Sequence, residues 1–211
     1  MLCSPSDAYY GLCGECRAFA DAALAGESRC EVCGKHLISE RQTCLSCRQT
    51  GKSPFVKLRA LFPYTGKFRA MLAAYKFGKS LGVGNFLAQR LSSSLDDLER
   101  AVWVPVPPRP GKIKSQGWDQ VEYLAGLLEK RHKRLGVCRC LKRLPSRTQK
   151  GLNREQRGSN LKGRIIRTRQ PPETAVLFDD VITTGATLNA CAQALLEGGT
   201  ERVYGVCLFY D

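Results

Sequence analysis

The segment 176–187, VLFDDVITTGAT, carries the most informative combination of side chains in the chain. Three apolar residues lead into two adjacent carboxylates, and a turn of small or hydroxyl-bearing residues follows. The carboxylates are Asp179 and Asp180, and the turn contains Thr183, Thr184, Gly185, Ala186 and Thr187. Backbone amides at a helix start and threonine hydroxyls can surround a phosphate dianion. Carboxylates instead accept hydrogen bonds from sugar hydroxyls or bind a metal. The pattern therefore predicts a site for a phosphorylated sugar rather than for phosphate alone.

The segment does not match the common nucleotide-binding loops. A Walker-type loop is excluded because no lysine follows Gly185, and the chain has no GxGxxG string. The purely structural alternative is a buried strand that ends in an Asx turn and is followed by a threonine-capped helix.

Seven of the eleven cysteines lie within the first 47 residues, most of them in CxxC pairs. Such clustering favours metal ligation over disulfide bonds, which would also leave one cysteine over from an odd count. Cys30, Cys33, Cys44 and Cys47 form two pairs separated by ten residues, the layout of a zinc ribbon with four sulfur ligands. We therefore predict a structural Zn²⁺ at these four cysteines, which would supply much of the folding free energy of this small module.

The formal charge of +14 is concentrated in one stretch. Residues 109–169 hold 18 of the 33 Lys and Arg but only 4 of the 19 Asp and Glu, so the rest of the chain is balanced. Such a block favours an anionic partner, for example single-stranded DNA bound through its backbone, with a solvated charged surface as the alternative. No segment approaches the roughly 18–20 uninterrupted apolar residues of a membrane span, and residues 1–11 do not resemble a signal peptide. We expect a soluble, cytoplasmic protein without a membrane span.

Apolar periodicity predicts the elements that position these residues. Helices are expected at 67–77, 86–98, 121–128 and 186–197, and strands at 101–106, 175–178 and 202–209, with a turn at 179–185. This alternation is typical of a parallel sheet covered on both faces, so the fold class is α/β. The linker at 48–54 separates a cysteine-rich zinc-binding module, 1–52, from the α/β domain, 53–211. Residues 142–169 lack clear periodicity and predict a long basic excursion bracketed by short strands, which is either functional or disordered.

The segment 176–187 resembles the phosphoribosyl pyrophosphate motif of the type I phosphoribosyltransferases, in which hydrophobic residues precede two acids and a TTGxT-like turn. Further strings narrow the resemblance to the ComF family of competence-related proteins, which includes the GntX-like proteins. They are VPVP at 104–107, GWDQ at 117–120, the segment from Tyr64 to Lys76 and Phe77, the residues Thr148, Gln149, Leu152, Arg157 and Asn160, and the N-terminal cysteine pairs. The resemblance covers nearly the whole chain.

The resemblance implies a type I phosphoribosyltransferase-like parallel sheet flanked by helices, with phosphoribosyl pyrophosphate and Mg²⁺ as ligands. It assigns Asp179 and Asp180 to the ribose 2′- and 3′-hydroxyls, and the turn at 183–187 to the 5′-phosphate. Residues 147–157 would then form a mobile hood that covers the site and excludes water.

The chain departs from the family pattern at two places. It has QGWDQ at 116–120 where the family has RGFNQ, so Arg109, Lys112 and Lys114 would have to supply the charge of the missing arginine. The additional N-terminal CxxC pair of the family is incomplete here because Ser6 occupies its second position. The remaining cysteines, Cys3, Cys13 and Cys16, are expected to hold a second zinc with another donor, or Cys13 and Cys16 to pair with a later CxxC turn.

Three functions are compatible with these features. The first is an active phosphoribosyltransferase with an unidentified acceptor. The second is a nucleic-acid-handling protein that uses the pocket as a sensor of phosphoribosyl pyrophosphate, because the ComF resemblance implies a part in DNA uptake during natural transformation. The third is an adaptor in which the zinc ribbon docks a helicase-like competence protein and the pocket is vestigial.

Overall fold

The computed structural model describes residues 11–25, 28–30, 32–34, 36–37, 39–50, 53–95, 101–131, 136–145 and 163–211. Its helices are α1 (Gly14–Leu24), α2 (Leu45–Thr50), α3 (Gly66–Lys76), α4 (Leu81–Ser93), α5 (Lys112–Gln116), α6 (Gln120–Arg131) and α7 (Ala186–Leu196). Its strands are β1 (Lys57–Pro63), β2 (Val102–Pro105), β3 (Leu141–Arg143), β4 (Ile165–Arg167), β5 (Thr174–Ile182) and β6 (Arg202–Tyr210). Among these residues, no helix has the length and apolar character needed to cross a bilayer.

Four of the described strands form one parallel sheet in the order β1-β6-β5-β2. Successive side chains of a strand point to opposite faces, and both faces of this sheet are buried. On one face, Val176 and Phe178 pack in a core with α1, α3, α4 and α6. On the other face, Ala175 and Leu177 pack against α7 and the antiparallel pair β3–β4. The α/β class predicted from the sequence is therefore confirmed.

Several predicted boundaries were wrong. Strand β5 continues through both acids to Ile182, because β6 pairs with it as far as Tyr210, so residues 179–182 are strand rather than turn. Helix α4 begins at Leu81, five residues early, because the Ser80 hydroxyl accepts a hydrogen bond from the amide of Val83 and caps it. Strand β1 was not predicted at all. The pair β3–β4 provides the short strands expected around 142–169, while the predicted hood at 147–157 lies outside the described residues.

The N-terminal part of the chain is docked on the sheet. The Arg29 guanidinium donates to the carbonyls of Ala23, Gly34, Ala60 and Leu61, at distances of 2.6–3.2 Å, and so joins α1 and the cysteine turn to β1. Arg90 of α4 forms two bonds of 2.6 and 2.7 Å with Asp21 of α1. Because α1 also contributes Cys16 and Ala20 to the main core, residues on both sides of the predicted 52/53 boundary share one interior. The boundary itself stays a prediction.

Candidate functional site at the carboxyl edge of the sheet

A cleft opens where strand β2 ends. The last bond between the neighbours β2 and β5 runs from the amide of Val106 to the carbonyl of Phe178, at 3.0 Å. Pro107 and Pro108 follow and cannot donate to a continued ladder, because proline lacks the amide hydrogen. Asp179 and Asp180 therefore extend beyond the end of β2 while β6 still pairs with β5 on the other side. The resulting cleft has a volume of about 1110 Å³, and both acids line it. Ligands of parallel α/β sheets bind at edges of this kind.

The carboxylate of Asp180 is held by partners from two distant helices. Its Oδ2 accepts bonds from Lys76 Nζ at 3.0 Å and from Gln120 Nε2 at 2.6 Å, and its Oδ1 accepts the amide of Val181 at 3.0 Å. The side chain is buried, at 6% exposure. Burial acts to raise the pKa of Asp180, but the Lys76 ammonium and the hydrogen bonds to the carboxylate lower it below its ordinary value. Asp180 is therefore ionised at neutral pH.

Asp179 has the opposite electrostatic environment. Burial and the neighbouring negative charge of Asp180 raise the pKa of Asp179 well above its usual range. Its Oδ1 accepts the amide of Asp180 at 2.8 Å, which fixes the carboxyl orientation at the cleft wall. The two adjacent acids thus differ in charge preference because Lys76 and Gln120 donate hydrogen bonds to the carboxylate of Asp180, whereas burial and the charge of Asp180 dominate at Asp179.

The predicted cations lie in different situations. Lys112 lines the cleft, but its ammonium is paired with Asp119 Oδ2 at 2.6 Å and with Gln120 Oε1. Lys114 is exposed and is not among the residues that line the cleft, so its role in pyrophosphate binding stays a prediction. Residues three and four positions apart in a helix share a face. In the one-turn helix α5, Lys112, Ser115 and Gln116 therefore line the cleft, whereas residue 114 lies on another face. Lys112 therefore supports the wall of the site rather than carrying an uncompensated charge.

Asp119, at the position where the family resemblance predicts asparagine, has two structural roles. Its Oδ1 accepts the amides of Val121 and Glu122, at 2.9 and 3.0 Å, and thereby caps helix α6. Its Oδ2 binds Lys112. An asparagine could cap the helix but could not form the ion pair.

Two guanidinium groups line the cleft near the acids. Arg109 was predicted from the sequence, whereas Arg143 was not and is brought to the cleft by the pair β3–β4. Burial and the charge of Arg109 lower the pKa of Arg143. Because two close cations repel each other, an anion such as a pyrophosphate would relieve the repulsion.

The predicted turn is shorter than expected, because it occupies only residues 183–185 between the end of β5 and the start of α7. Gly185 caps α7 with φ of 72°, in the left-handed region that favours glycine, and its carbonyl accepts the amide of Asn189 at 2.8 Å. The first amides of an α-helix have no intrahelical carbonyl, so those of residues 186–188 are available to a ligand or a cap. The Thr184 hydroxyl accepts the amide of Ala186 at 3.4 Å. A separate hollow of about 50 Å³ lies here, lined by Asp179 and by Thr183, Thr184, Gly185, Ala186 and Thr187.

Sequence reasoning did not assign a site role to Lys76 or Gln120. Both occur in strings that carried the family resemblance, so a signal for their importance existed. Their contact with Asp180 could not be inferred from those strings, because it depends on where α3 and α6 pack.

The four cysteines of the two CxxC pairs come together as predicted. The Sγ atoms of Cys30, Cys33, Cys44 and Cys47 all lie within 4.8 Å of one another, and those of Cys33 and Cys44 are 3.7 Å apart. A tetrahedron with zinc–sulfur bonds of about 2.3 Å has edges of about 3.8 Å, so these donors fit Zn²⁺. Burial acts to raise the pKa of Cys30, but the amides of Cys44, Cys33 and Val32 outweigh it and lower the pKa to about 7. Burial and the hydrogen bonds to Cys33 and Cys44 instead raise the pKa of Cys47, so the cluster without a metal favours a thiolate at Cys30 and a thiol at Cys47.

Cys13 and Cys16 are not in this cluster. Cys13 caps α1, its Sγ accepting the amide of Cys16 at 3.4 Å, and Cys16 is buried in the main core. Within the described residues, the four-cysteine cluster is the group that could hold a metal ion, and Cys3 lies outside those residues. A second metal site at Cys3, Cys13 and Cys16 therefore stays a proposal.

Comparison with known proteins gives the same family. No family model matches the chain. Competence protein ComFC of Streptococcus pneumoniae is 30% identical over 202 residues, which cover 91% of this chain and 84% of that protein. Competence protein F of Haemophilus influenzae is 26% identical over 205 residues, covering 92% and 87% of the two chains. DNA utilization protein YhgH of Escherichia coli O6:H1 is 25% identical over 210 residues, covering 95% and 90%.

The fold and the site define a parallel α/β protein with a ligand-type cleft at the carboxyl edge of its sheet and an attached four-cysteine cluster. Together with the near full-length similarity to ComFC, these features identify the family. The chain belongs to the ComF family of competence proteins.

Proposed function

We propose that this protein binds phosphoribosyl pyrophosphate as its Mg²⁺ complex in the cleft at the carboxyl edge of the sheet, and that it acts in DNA uptake. One observation carries the first part. Strand β2 ends beside Phe178, and this leaves the acid pair Asp179 and Asp180 at the wall of an open cleft, directly before the turn at 183–187.

The cleft offers a suitable environment for each part of the ligand. The 5′-phosphate would occupy the hollow at the start of α7, where helix amides and threonine hydroxyls can donate. The ribose hydroxyls would donate to the acids. The pyrophosphate would lie toward Arg109 and Arg143, whose charges it would compensate. Mg²⁺ would neutralise the pyrophosphate, and the site suits this ion because Mg²⁺ keeps several waters and needs few protein carboxylates beside substrate phosphates.

Ligand binding should depend on pH through Asp179. Because its pKa is raised, this carboxyl keeps its proton to a higher pH than an ordinary aspartate does, whereas an ionised carboxylate is the better acceptor for a ribose hydroxyl. Binding would therefore release a proton, and affinity would increase with pH until Asp179 is ionised in the free protein.

Titration calorimetry tests the first part of the proposal. Wild-type protein should give a Mg²⁺-dependent heat with phosphoribosyl pyrophosphate, and Thr184→Ala should weaken binding by roughly one to two orders of magnitude. Gly185→Val should weaken it further, because position 185 has φ of 72° and a branched residue is strained there. Thr168→Ala is the matched control, since Thr168 is exposed and outside the cleft. Absence of a Mg²⁺-dependent heat with wild-type protein would contradict the assignment.

The role in DNA uptake rests on the names of the relatives and on charge. Two relatives are competence proteins and others are DNA utilization proteins. The pair β3–β4 and the residues that follow it expose several cations of the basic block, including Lys142, Arg167 and Arg169. A cationic surface of this kind binds the phosphates of a single strand and releases counterions.

Salt dependence tests this second part. Affinity for a single-stranded oligonucleotide should fall steeply with salt, and the double variant Lys142→Gln with Arg169→Gln should reduce the slope of log affinity against log salt by about 1.4, since each phosphate contact contributes about 0.7. The control is Lys67→Gln with Arg69→Gln, two exposed cations outside the basic block. Binding that does not depend on salt would argue against this role.

A further inference from the structure

Gln120 connects three elements of the fold beside the acid pair. It is the first residue of α6 and is buried, at 5% exposure. Its Nε2 donates to Asp180 Oδ2 at 2.6 Å, and its Oε1 accepts a bond from the Lys112 ammonium. Its backbone carbonyl accepts the hydroxyl of Tyr75, which is fully buried. Partners from α3, α5 and β5 therefore fix both the backbone and the side chain of Gln120.

Lys112 determines the direction of the Gln120 amide. A glutamine side chain has one end that accepts hydrogen bonds and one end that donates them. Because the oxygen faces the ammonium, the NH₂ group is left to face the carboxylate of Asp180. The reversed amide would place its NH₂ group against the ammonium and its oxygen against the carboxylate, and both contacts would be repulsive. The cation on α5 therefore makes Gln120 a donor to the acid.

Asp119 holds Lys112 in this position. Its Oδ2 lies 2.6 Å from Lys112 Nζ, and the two side chains are 3% and 18% exposed. Its other oxygen accepts the amides of Val121 and Glu122 at the start of α6, which restrains the carboxylate on both sides. An ion pair that is largely removed from solvent is screened less than a surface pair. The ammonium of Lys112 is therefore a restrained part of the site.

The contacts of Asp180 leave it little capacity for a ligand. Its Oδ2 accepts bonds from Lys76 and Gln120, and its Oδ1 accepts the amide of Val181. An ionised carboxylate has about four acceptor positions, so about one remains. Asp179 is half-buried, and its Oδ2 has no hydrogen-bond donor in the part of the chain that the structure describes. Asp179 is therefore the acid with more capacity to accept bonds from a ligand.

We propose that Lys112 and Gln120 are positioning residues, which hold Asp180 as a fixed anchor of the site and leave Asp179 as the main acceptor for the ribose hydroxyls. The two adjacent acids of the motif thus have different tasks. This inference deepens the proposed function and rests on it for the identity of the ligand. The positioning of Asp180 is a property of the unliganded protein and can be tested without a ligand.

Carboxyl ¹³C NMR of the unliganded protein tests the positioning, with Asp180→Asn to assign the resonance. Burial acts against ionisation of Asp180, but the Lys76 ammonium and the hydrogen bonds outweigh it, so this carboxyl should titrate below its ordinary pKa of 3.8. Lys112→Met should shift the titration to higher pH, because the Gln120 amide is no longer held as a donor to the carboxylate. Lys112→Arg should restore the wild-type titration, since a guanidinium keeps several donors.

Further variants identify the route by which Lys112 acts. Lys112→Met combined with Asp119→Asn should titrate like Lys112→Met alone, because Asp119 acts on Asp180 through Lys112. Gln120→Leu should shift the titration at least as far as Lys112→Met does. Lys130→Met is the matched control, since Lys130 is an exposed lysine of α6 outside the cleft. The positioning role is overturned if Lys112→Met leaves the titration of Asp180 at the wild-type pH, or if Lys130→Met shifts it equally.

Calorimetry with phosphoribosyl pyrophosphate and Mg²⁺ tests the separate tasks of the two acids. Lys112→Met should weaken binding about tenfold at acid pH and by a smaller factor above neutral pH, since only a protonated Asp180 is impaired. An equal loss at both pH values would show that Lys112 only adds charge to the cleft and would contradict its positioning role. Titrations in buffers of different ionisation enthalpy should show release of a proton in wild type and in Lys112→Met but not in Asp179→Asn. Proton release that persists in Asp179→Asn would contradict the role of Asp179.

Failure of this inference and failure of the proposed function give different results. If wild-type protein does not bind phosphoribosyl pyrophosphate, the proposed function fails, while the NMR titration of the unliganded protein still decides the role of Lys112. If wild-type protein binds the ligand but Lys112→Met leaves the titration of Asp180 unchanged, the proposed function stands and the positioning role fails.

Discussion

Lys76 Nζ lies 3.0 Å from Asp180 Oδ2, although 104 positions separate the two residues in the chain. Helix α3 ends at Lys76 and carries its ammonium to the carboxyl edge of β5, where Gln120 from α6 reaches the same oxygen at 2.6 Å. The acid that the motif predicts as a ribose ligand is thus also the point at which two helices are joined to the sheet.

Replacement of Lys76 should destabilise the protein in a pH-dependent way. Lys76→Met leaves Asp180 buried without its cation, and we expect the free energy of unfolding to fall by about 1–2 kcal/mol at pH 7, a value reduced for the partial exposure of Lys76. The pKa of Asp180 is lower in the folded protein than its value of 3.8 in the unfolded chain, so the ionised carboxylate stabilises the fold above pH 3.8. This stabilisation is lost as the pH falls through the folded-state pKa. Urea unfolding should therefore show a full difference between variant and wild type at pH 7 and a smaller one below pH 3.8. Lys114→Met, at an exposed position outside the cleft, should differ little from wild type at any pH.

Asp179→Asn should stabilise the unliganded protein while it impairs the site. The pKa of Asp179 is higher in the folded protein than in the unfolded chain, so the unfolded chain gives up this proton more readily. The free energy of unfolding therefore falls as the pH rises from the unfolded-state pKa to the folded-state pKa. The amide cannot ionise, so the free energy of unfolding of the variant should increase by about 1 kcal/mol near neutral pH and should not change at acid pH.

Binding of phosphoribosyl pyrophosphate should weaken at least tenfold in the same variant. Thermal unfolding and calorimetry measure the two effects, and Asp211→Asn, an exposed carboxylate at the C-terminal end, is the control. A variant that is less stable than wild type at pH 7 would contradict the electrostatic argument.

Metal analysis of freshly purified protein should find Zn²⁺ bound to the four-cysteine cluster. Cys44→Ser should abolish this binding and lower the melting temperature, because a closed set of four sulfur ligands tolerates no loss. Cys138→Ser provides the comparison, since Cys138 is half-buried but lies outside the cluster. Equal zinc content in the two variants would show that the metal is held elsewhere.

The docking of the cysteine turn on β1 should depend on Gly34. This residue has φ of 71°, and a Cβ there would lie 2.5 Å from the Ala60 amide nitrogen. Gly34→Ala should therefore lower the free energy of unfolding by about 2 kcal/mol or more, since both the backbone conformation and the close approach are unfavourable. Gly14→Ala, in the first turn of α1 with open space at its Cβ, should be neutral or slightly stabilising. Chemical denaturation of the two variants checks the difference.

Much of the fold and part of the site were determined by local sequence pattern. The strand before Asp179, a turn that includes residues 183–185 and the helix from Ala186 were all predictable, because side-chain periodicity and turn chemistry act between near neighbours. The CxxC spacing likewise predicted the grouping of Cys30, Cys33, Cys44 and Cys47, since each CxxC turn brings two thiolates to one position. The family followed from the same strings.

Only the tertiary structure decided which groups surround the acids. Strand β1 and the continuation of β5 to Ile182 depend on pairing with β6, and the contacts of Asp180 with Lys76 and Gln120 join residues 104 and 60 positions apart. The distance between Arg109 and the unpredicted Arg143 depends on how the pair β3–β4 packs on the sheet. Local patterns determine whether a segment is helix, strand or turn, but they do not specify the order of strands in a sheet or the helix that covers a given edge. For that reason the sequence predicted residues that could contact a ligand, whereas the opposite pKa shifts of Asp179 and Asp180 and the place of Arg143 in the cleft were decided by packing.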